Sequence, residues 1–209
     1  MRLILVRHGR TTSNVGFLLD TGEPGADLDD AGREQARALV ERLAEHPIEA
    51  IYTSNLVRTQ QTATPLAETR EIEFRVLSDL REISAGDDEL TADATRYIGT
   101  LMRWHEGELL ARIPGGEDAN EFFDRFDRGI EQVAAGSHEV AMVVSHGAAL
   151  RVWASARVPG FTEALGNGHL DNTGVIVLDG SPQEGWQLHT LDGVRYYEGI
   201  ELEPEPIDQ

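Results

Sequence analysis

Two histidines in this sequence each follow an apolar run and precede a glycine. "LILVRHG" ends in Arg7-His8-Gly9, and "VAMVVSHG" ends in Ser145-His146-Gly147. Alone, either histidine would read as a satisfied structural group. Together they suggest chemistry, because a neutral imidazole nitrogen is a competent nucleophile for phosphorus. Arg7 beside His8 is repulsive when both are charged, so an anion is needed to offset the placement. Glycine lets a ligand approach the backbone closely. Helix starts after each strand would add free N–H groups and a positive dipole end. Arg58, in "SNLVRTQQ", supplies a second guanidinium. Two arginines and two histidines converging on backbone amides describe a site for a dianion, since arginine forks match phosphate oxygens bidentately.

The elements that would position these groups follow from patterning. Arg2–Val6 reads as a buried strand. Asp29 or Asp30 caps a helix to about Ala44, with Ala36, Leu39, Val40 and Leu43 at helical spacing. Ile48–Tyr52 is a short strand. Ser54 then caps a helix through "NLVRTQQTATPLAE", with Pro65 as a break or kink. Glu73–Leu77 reads as a third strand, Thr91–Leu110 as mostly helix, and Gly115-Gly116 as a loop. A helix runs from Asp118 to Gln132 and stops near Gly136. Glu139–Ser145 is a strong apolar strand, with a helix from Gly147. Thr173–Leu178 and Trp186–Leu191 form a late strand pair. Strands alternating with helices predict an α/β fold, a three-layer α/β/α sandwich around a mostly parallel sheet. Ligands bind beyond the carboxyl ends of such strands, which is where both His-Gly pairs emerge. Residues 1–200 are expected to form one domain, and 201–209, "LEPEPIDQ" with its preceding Glu, an acidic flexible tail.

Composition narrows the function. The net charge of −19 argues against nucleic acid, whose phosphates need a basic face. The opening apolar run is too short for a signal-peptide core, and no run is long enough to span a membrane, so a cytoplasmic protein is expected. Without cysteine there is no disulfide, thiolate metal site or cysteine nucleophile. All 18 basic residues are Arg, so a P-loop lysine and a Schiff base are excluded. Any phosphate held by a basic side chain is held by Arg or His. The motifs H-E-x-x-H and G-x-S-x-G are also absent.

At this point the sequence resembles the histidine phosphatase superfamily, which includes the cofactor-dependent phosphoglycerate mutases. "RHGRTTSN" resembles its signature, and "LDDAGREQA", "IYTSNLVRTQQTA", "LREISAGD", "PGGE" and "VVSHGAALR" follow in the family's order over nearly the whole chain. The resemblance implies a phosphoglycerate mutase-like fold with His8 as the phosphorylated nucleophile. It implies that Arg7, Arg58, His146 and the Gly147 amide hold phosphoryl oxygens, with Asn14 and Thr11 adding hydrogen bonds. Glu82 would protonate the leaving oxygen. A small phosphorylated metabolite is the expected partner, and neither metal nor cofactor is expected.

One departure is Arg10, where the family usually has Glu. It is expected to add positive charge at the pocket mouth. The segment 88–117 departs from the family pattern too and is expected to line the substrate entrance, with core or surface roles for Arg103, Trp104 and His105. The favoured reading is a metal-independent phosphatase of small phosphomonoesters. The alternatives are a phosphoglycerate mutase, for which the chain is short, and a catalytically weak phosphate-binding module.

Overall fold

The computed structural model describes residues 1–196. In chain order it holds β1 (Arg2–Arg7), α1 (Thr12–Val15), α2 (Asp30–Arg42), β2 (Ala50–Thr53), α3 (Val57–Arg70), β3 (Arg75–Val76), α4 (Thr95–His105), α5 (Ala119–Ala134), β4 (Val140–Ser145), α6 (Gly147–Arg157), α7 (Phe161–Leu165), β5 (Gly168–Ser181) and β6 (Gly185–Tyr196). Single 3₁₀ turns lie at Ser78–Leu80 and Gly86–Asp88. The six strands form one sheet in the order β3-β2-β4-β1-β5-β6. β3, β2, β4 and β1 run parallel, and β5 and β6 add an antiparallel edge. This is the predicted mostly parallel α/β sheet. Among the described residues no helix is long and apolar enough to cross a membrane. The tail expected at 201–209 lies outside the described residues.

Both faces of the sheet are covered, as the continuous apolar strands require. Leu3 and Leu5 of β1 join Ala141 and Val143 of β4 on one face, packed against Trp104, Phe122, Phe126 and Trp153. Ile4, Val6, Met142 and Val144 take the other face, against Leu39, Leu43, Ala63 and Leu66. This two-residue alternation continues to the strand ends and decides where the polar groups go. Arg7 pairs in register with Ser145, so the next residues, His8 and His146, leave the sheet side by side.

Several local expectations are corrected. Ser54 does not cap α3. Leu56 occupies the N-cap position without a side-chain bond, and the Ser54 hydroxyl faces His146 instead. Pro65 does not end α3, which runs on to Arg70. The helix expected over Thr91–Leu110 is shorter, Thr95–His105; Thr91 is tied into a turn at Asp88, and Gly107 has a φ of 93°. The helix after β1 does not start at the strand end. α1 begins at Thr12, and its Thr11 cap accepts the Asn14 N–H. Of the two strands that deliver a histidine, only β4 is followed directly by its helix, α6.

The glycine of Arg7-His8-Gly9 is glycine for the protein's sake rather than a ligand's. A β-carbon there would lie 2.7 Å from the Gly32 carbonyl oxygen in the first turn of α2. Reciprocally, a β-carbon on Gly32 would overlap the Arg10 carbonyl. Helix α2 is thus seated directly on the backbone that follows His8.

That contact yields a test whose sign decides. Alanine in an open helix position would stabilise by about 1 kcal/mol over glycine. Because the neighbour at Gly32 is backbone, Gly32→Ala is expected to destabilise by about 1–3 kcal/mol in urea unfolding, the usual cost of overpacking. A stabilised variant would contradict the packing described.

Candidate active site

His8 is almost wholly buried, at 3% exposure. Its Nδ1 lies 2.7 Å from the Gly9 carbonyl oxygen. A carbonyl can only accept, so Nδ1 carries the proton. Burial first, then the Arg58 and Arg7 guanidiniums, push His8 well below the ordinary imidazole range of about 6.5. The neutral ring therefore keeps its lone pair on Nε2, the form a nucleophile needs.

His146 is fully buried with its ring centroid 5.3 Å from that of His8. Its Nε2 lies 2.7 Å from Ser54 Oγ, while its Nδ1 is buried without a partner. Burial, then Arg58 and His8, hold His146 well below its ordinary range too. The Ser54 hydroxyl also accepts the Leu56 N–H and lies 3.1 Å from Thr59 Oγ1, so the serine is fixed from three sides.

The two arginines are anchored by part of each guanidinium. Arg7 Nη1 donates to the Leu170 carbonyl at 2.7 Å and meets His169 Nε2 at 2.8 Å. Its Nε is buried and unpartnered. Arg58 Nη2 donates to the Asp20 carbonyl at 2.8 Å, and its Nη1, 3.7 Å from the Asp20 carboxylate, makes no hydrogen bond. Burial pulls both below the usual guanidinium range, opposed by Glu82 in each case. Six side-chain polar atoms are buried and unpartnered among the described residues. Three of them belong to Arg7, Arg58 and His146. Gly147 makes room for this cluster, since a β-carbon there would lie 3.0 Å from Arg7 Nε.

Glu82 arrives from the loop after β3. Its Oε1 accepts the N–H groups of Ile83 and Ala149, at 2.9 and 2.8 Å, and its Oε2 accepts that of Ala148 at 3.2 Å. The carboxylate thus sits on the N-terminal turn of α6, beside His146, where the helix dipole favours an anion. Asn14 is oriented by two donors to its Oδ1, the Thr11 N–H and Asn172 Nδ2, each at 3.1 Å. Its amide NH₂ is thereby turned away from both. Thr11 is buried and serves as the cap of α1.

All eight residues singled out from the sequence meet at one sheet edge. Several supporting residues were not foreseen. Asn172 ties Asn14 to the His8 carbonyl, and the Thr173 N–H reaches that same carbonyl at 3.3 Å. Both lie where the β5–β6 register shifts, between Leu170 and Val175, and Thr173 has a φ of 58°. Arg10 does not add a bare charge to the mouth, for its Nε is paired with Asp29 at 2.8 Å. Trp104 is core, donating Nε1 to the Ala111 carbonyl, and Arg103 pairs with Glu108 on the surface.

Comparison with known proteins shows the family of the chain. The family model of the histidine phosphatase superfamily (branch 1) matches residues 3–192. A PE-PGRS family protein of Mycobacterium tuberculosis, PE_PGRS11, is 33% identical over 90% of this chain, which spans only 36% of that protein's length. A metal-independent phosphoserine phosphatase of Arabidopsis thaliana is 31% identical over 95% of this chain and 84% of its own. Among solved structures, a mycobacterial glucosyl-3-phosphoglycerate phosphatase in complex with VO3 superposes with a TM-score of 0.75. It is 27% identical and the match covers 92% of this chain and 98% of that one.

The buried histidines make stability depend on pH in a definite direction. In the unfolded chain they titrate near 6.5; in the folded protein, well below. Between those values the unfolded state binds more protons. Their contribution is therefore complete above about pH 6.5 and is lost as pH falls below it, by at most about 1.4 kcal/mol per pH unit for each ring. Urea unfolding between pH 7 and pH 5 should show a shallower slope for His8→Asn than for wild type. Parallel slopes would show that His8 is not held neutral.

Proposed function

The chain belongs to the histidine phosphatase superfamily, and from that premise we propose that it hydrolyses a small phosphomonoester through a phosphohistidine on His8. The observation that carries this reading is the set of buried, unpartnered nitrogens on Arg7, Arg58 and His146 beside the bare Nε2 of His8. Buried polar atoms are ordinarily satisfied. Three unsatisfied ones around one nucleophile fit the three non-bridging oxygens of a phosphoryl group.

The steps follow from the residues. The phosphate dianion sits against Arg7, Arg58, His146, the Asn14 amide and the Gly147 N–H. His8 Nε2 attacks phosphorus as the bond to the leaving oxygen breaks. Fixed cations and amides hold the charge on the equatorial oxygens, so positioning and electrostatics supply most of the catalysis. With the dianion bound beside it, Glu82 takes up a proton and, as the carboxylic acid, gives it to the leaving alkoxide. Oε2 is the oxygen suited to this, because Oε1 already serves two N–H groups. The resulting carboxylate takes a proton from water, and that water attacks phosphorus. The nitrogen–phosphorus bond breaks, phosphate leaves, and both residues return to their starting states.

Rapid quench with labelled substrate should trap an acid-labile, base-stable phosphoprotein, absent from His8→Ala. An adduct persisting in that variant would overturn the assignment.

Because the guanidiniums of Arg7 and Arg58 already provide the positive charge, turnover should proceed unchanged in EDTA. Activity lost to the chelator and restored by magnesium or zinc would contradict this mechanism.

A further inference from the structure

The segment that carries Glu82 has unusual backbone accounting. Buried carbonyls normally find donors in helices and sheets. From Asp79 to Ile83, each of five consecutive carbonyls takes its hydrogen from a side chain instead. Arg125 Nη1 donates to Asp79 and Arg81, both at 2.9 Å, and Arg125 Nη2 donates to Glu82 at 3.0 Å. Ser145 Oγ donates to Leu80 at 2.8 Å, and Tyr97 Oη to Ile83 at 3.2 Å. Arg125 therefore holds three of the five. Its other two bonds run to Glu117, Nε to Oε2 at 2.8 Å and Nη2 to Oε1 at 2.6 Å. A guanidinium has five N–H donors, and here all five are used. Glu117 in turn accepts the Ser84 N–H, closing the clasp beyond Glu82. The pair is buried, with side-chain exposures of 4% and 9%, and Arg125 also packs over the Phe122 ring.

We propose that Arg125, clasped by Glu117, is a positioning residue for the general acid: it fixes the Asp79–Ile83 backbone so that the Glu82 carboxyl meets the leaving oxygen. The proposal rests on the assignment of Glu82 as the acid. Arg125 bonds the Glu82 main chain, while the Glu82 side chain is directed at the first turn of α6. Neither Arg125 nor Glu117 bonds to Arg7, His8, Arg58 or His146. Loosening the clasp moves the acid and spares the nucleophile. Lysine, with three donors on one nitrogen, cannot span five acceptors that a planar fork reaches. A shift of about 1 Å in a reacting group costs about 10²-fold.

The test separates leaving-group protonation from everything else. Single-turnover phosphorylation is measured for wild type, Arg125→Lys, Glu117→Gln and Glu82→Gln, with an alkyl phosphate and with p-nitrophenyl phosphate. The alkoxide needs a proton to leave; the nitrophenolate does not. Arg125→Lys is expected to lose about 10–10²-fold with the alkyl phosphate and under about 3-fold with the aryl ester, following the pattern of Glu82→Gln. A merely structural role would lower both substrates alike. Equal losses in Arg125→Lys, or no loss, alongside a selective loss in Glu82→Gln, would overturn the proposal and leave the acid assignment standing. Equal losses in Glu82→Gln would overturn the acid assignment and the proposal with it. Should Arg125→Lys fail to fold, Glu117→Gln decides by the same two criteria, since it weakens the clasp while keeping the arginine.

Discussion

The structure depends on holding two guanidiniums and two imidazoles together out of water. Like charges so close inside a protein repel strongly, and the repulsion is least screened where burial is deepest. The protein reduces it by keeping both histidines neutral. It offsets the rest with Asp20, Glu82 and Glu89, the carboxylates that oppose burial at Arg58. What remains is a local excess of positive charge in a chain whose net charge is −19. A dianion entering this pocket meets donors already aimed and already desolvated, so little reorganisation is needed when charge moves in the transition state.

Each part of the fold near the site serves that concentration of charge. The β1–β4 register sets His8 beside His146, with Arg7 at the last paired position of β1. The loop around Asp20 closes over Arg58 so tightly that Gly25, with a φ of 73°, leaves no room for a β-carbon beside Nη1. The irregular stretch of β5 supplies a carbonyl to Arg7 and an amide to Asn14. The acid is mounted differently from the nucleophile. His8 leaves the end of β1, which is paired with β4 on one side and β5 on the other. Glu82 rides on irregular backbone held by side chains from α4, α5 and β4 rather than by sheet hydrogen bonds.

Much of this was legible in the sequence because it is local. Four apolar residues running into Arg7-His8-Gly9 mark a buried parallel strand and its functional end. The same logic reads β4 and His146. Asp29 before an amphipathic stretch marks α2 with its cap in place. What was not legible depends on contacts distant in sequence. Arg125 reads as one of several arginines on an amphipathic helix, and only folding brings it 43 residues back to the Glu82 carbonyl. Asn172 sits in "DNTG", a turn-like string before a strand, and its partners lie 158 and 164 residues away. Ser54 has the right type and place for a helix cap, yet the strand ends align so that its hydroxyl finds His146 first. Arg10 looked like an added charge because nothing nearby in sequence shows that Asp29 folds onto it. Gly9 had the right residue type for close approach, but the object that approaches is the first turn of α2.

The central claim is that His8 is a neutral imidazole with its proton on Nδ1 and a bare Nε2. Nitrogen-15 NMR of ring-labelled histidine, with the His8 signals assigned by their absence in His8→Asn, reads both features at once. At pH 6, below the ordinary imidazole value, the account predicts a pyrrole-like Nδ1 and a pyridine-like Nε2 for His8. An imidazolium at that pH, or a neutral ring with its proton on Nε2, would contradict it.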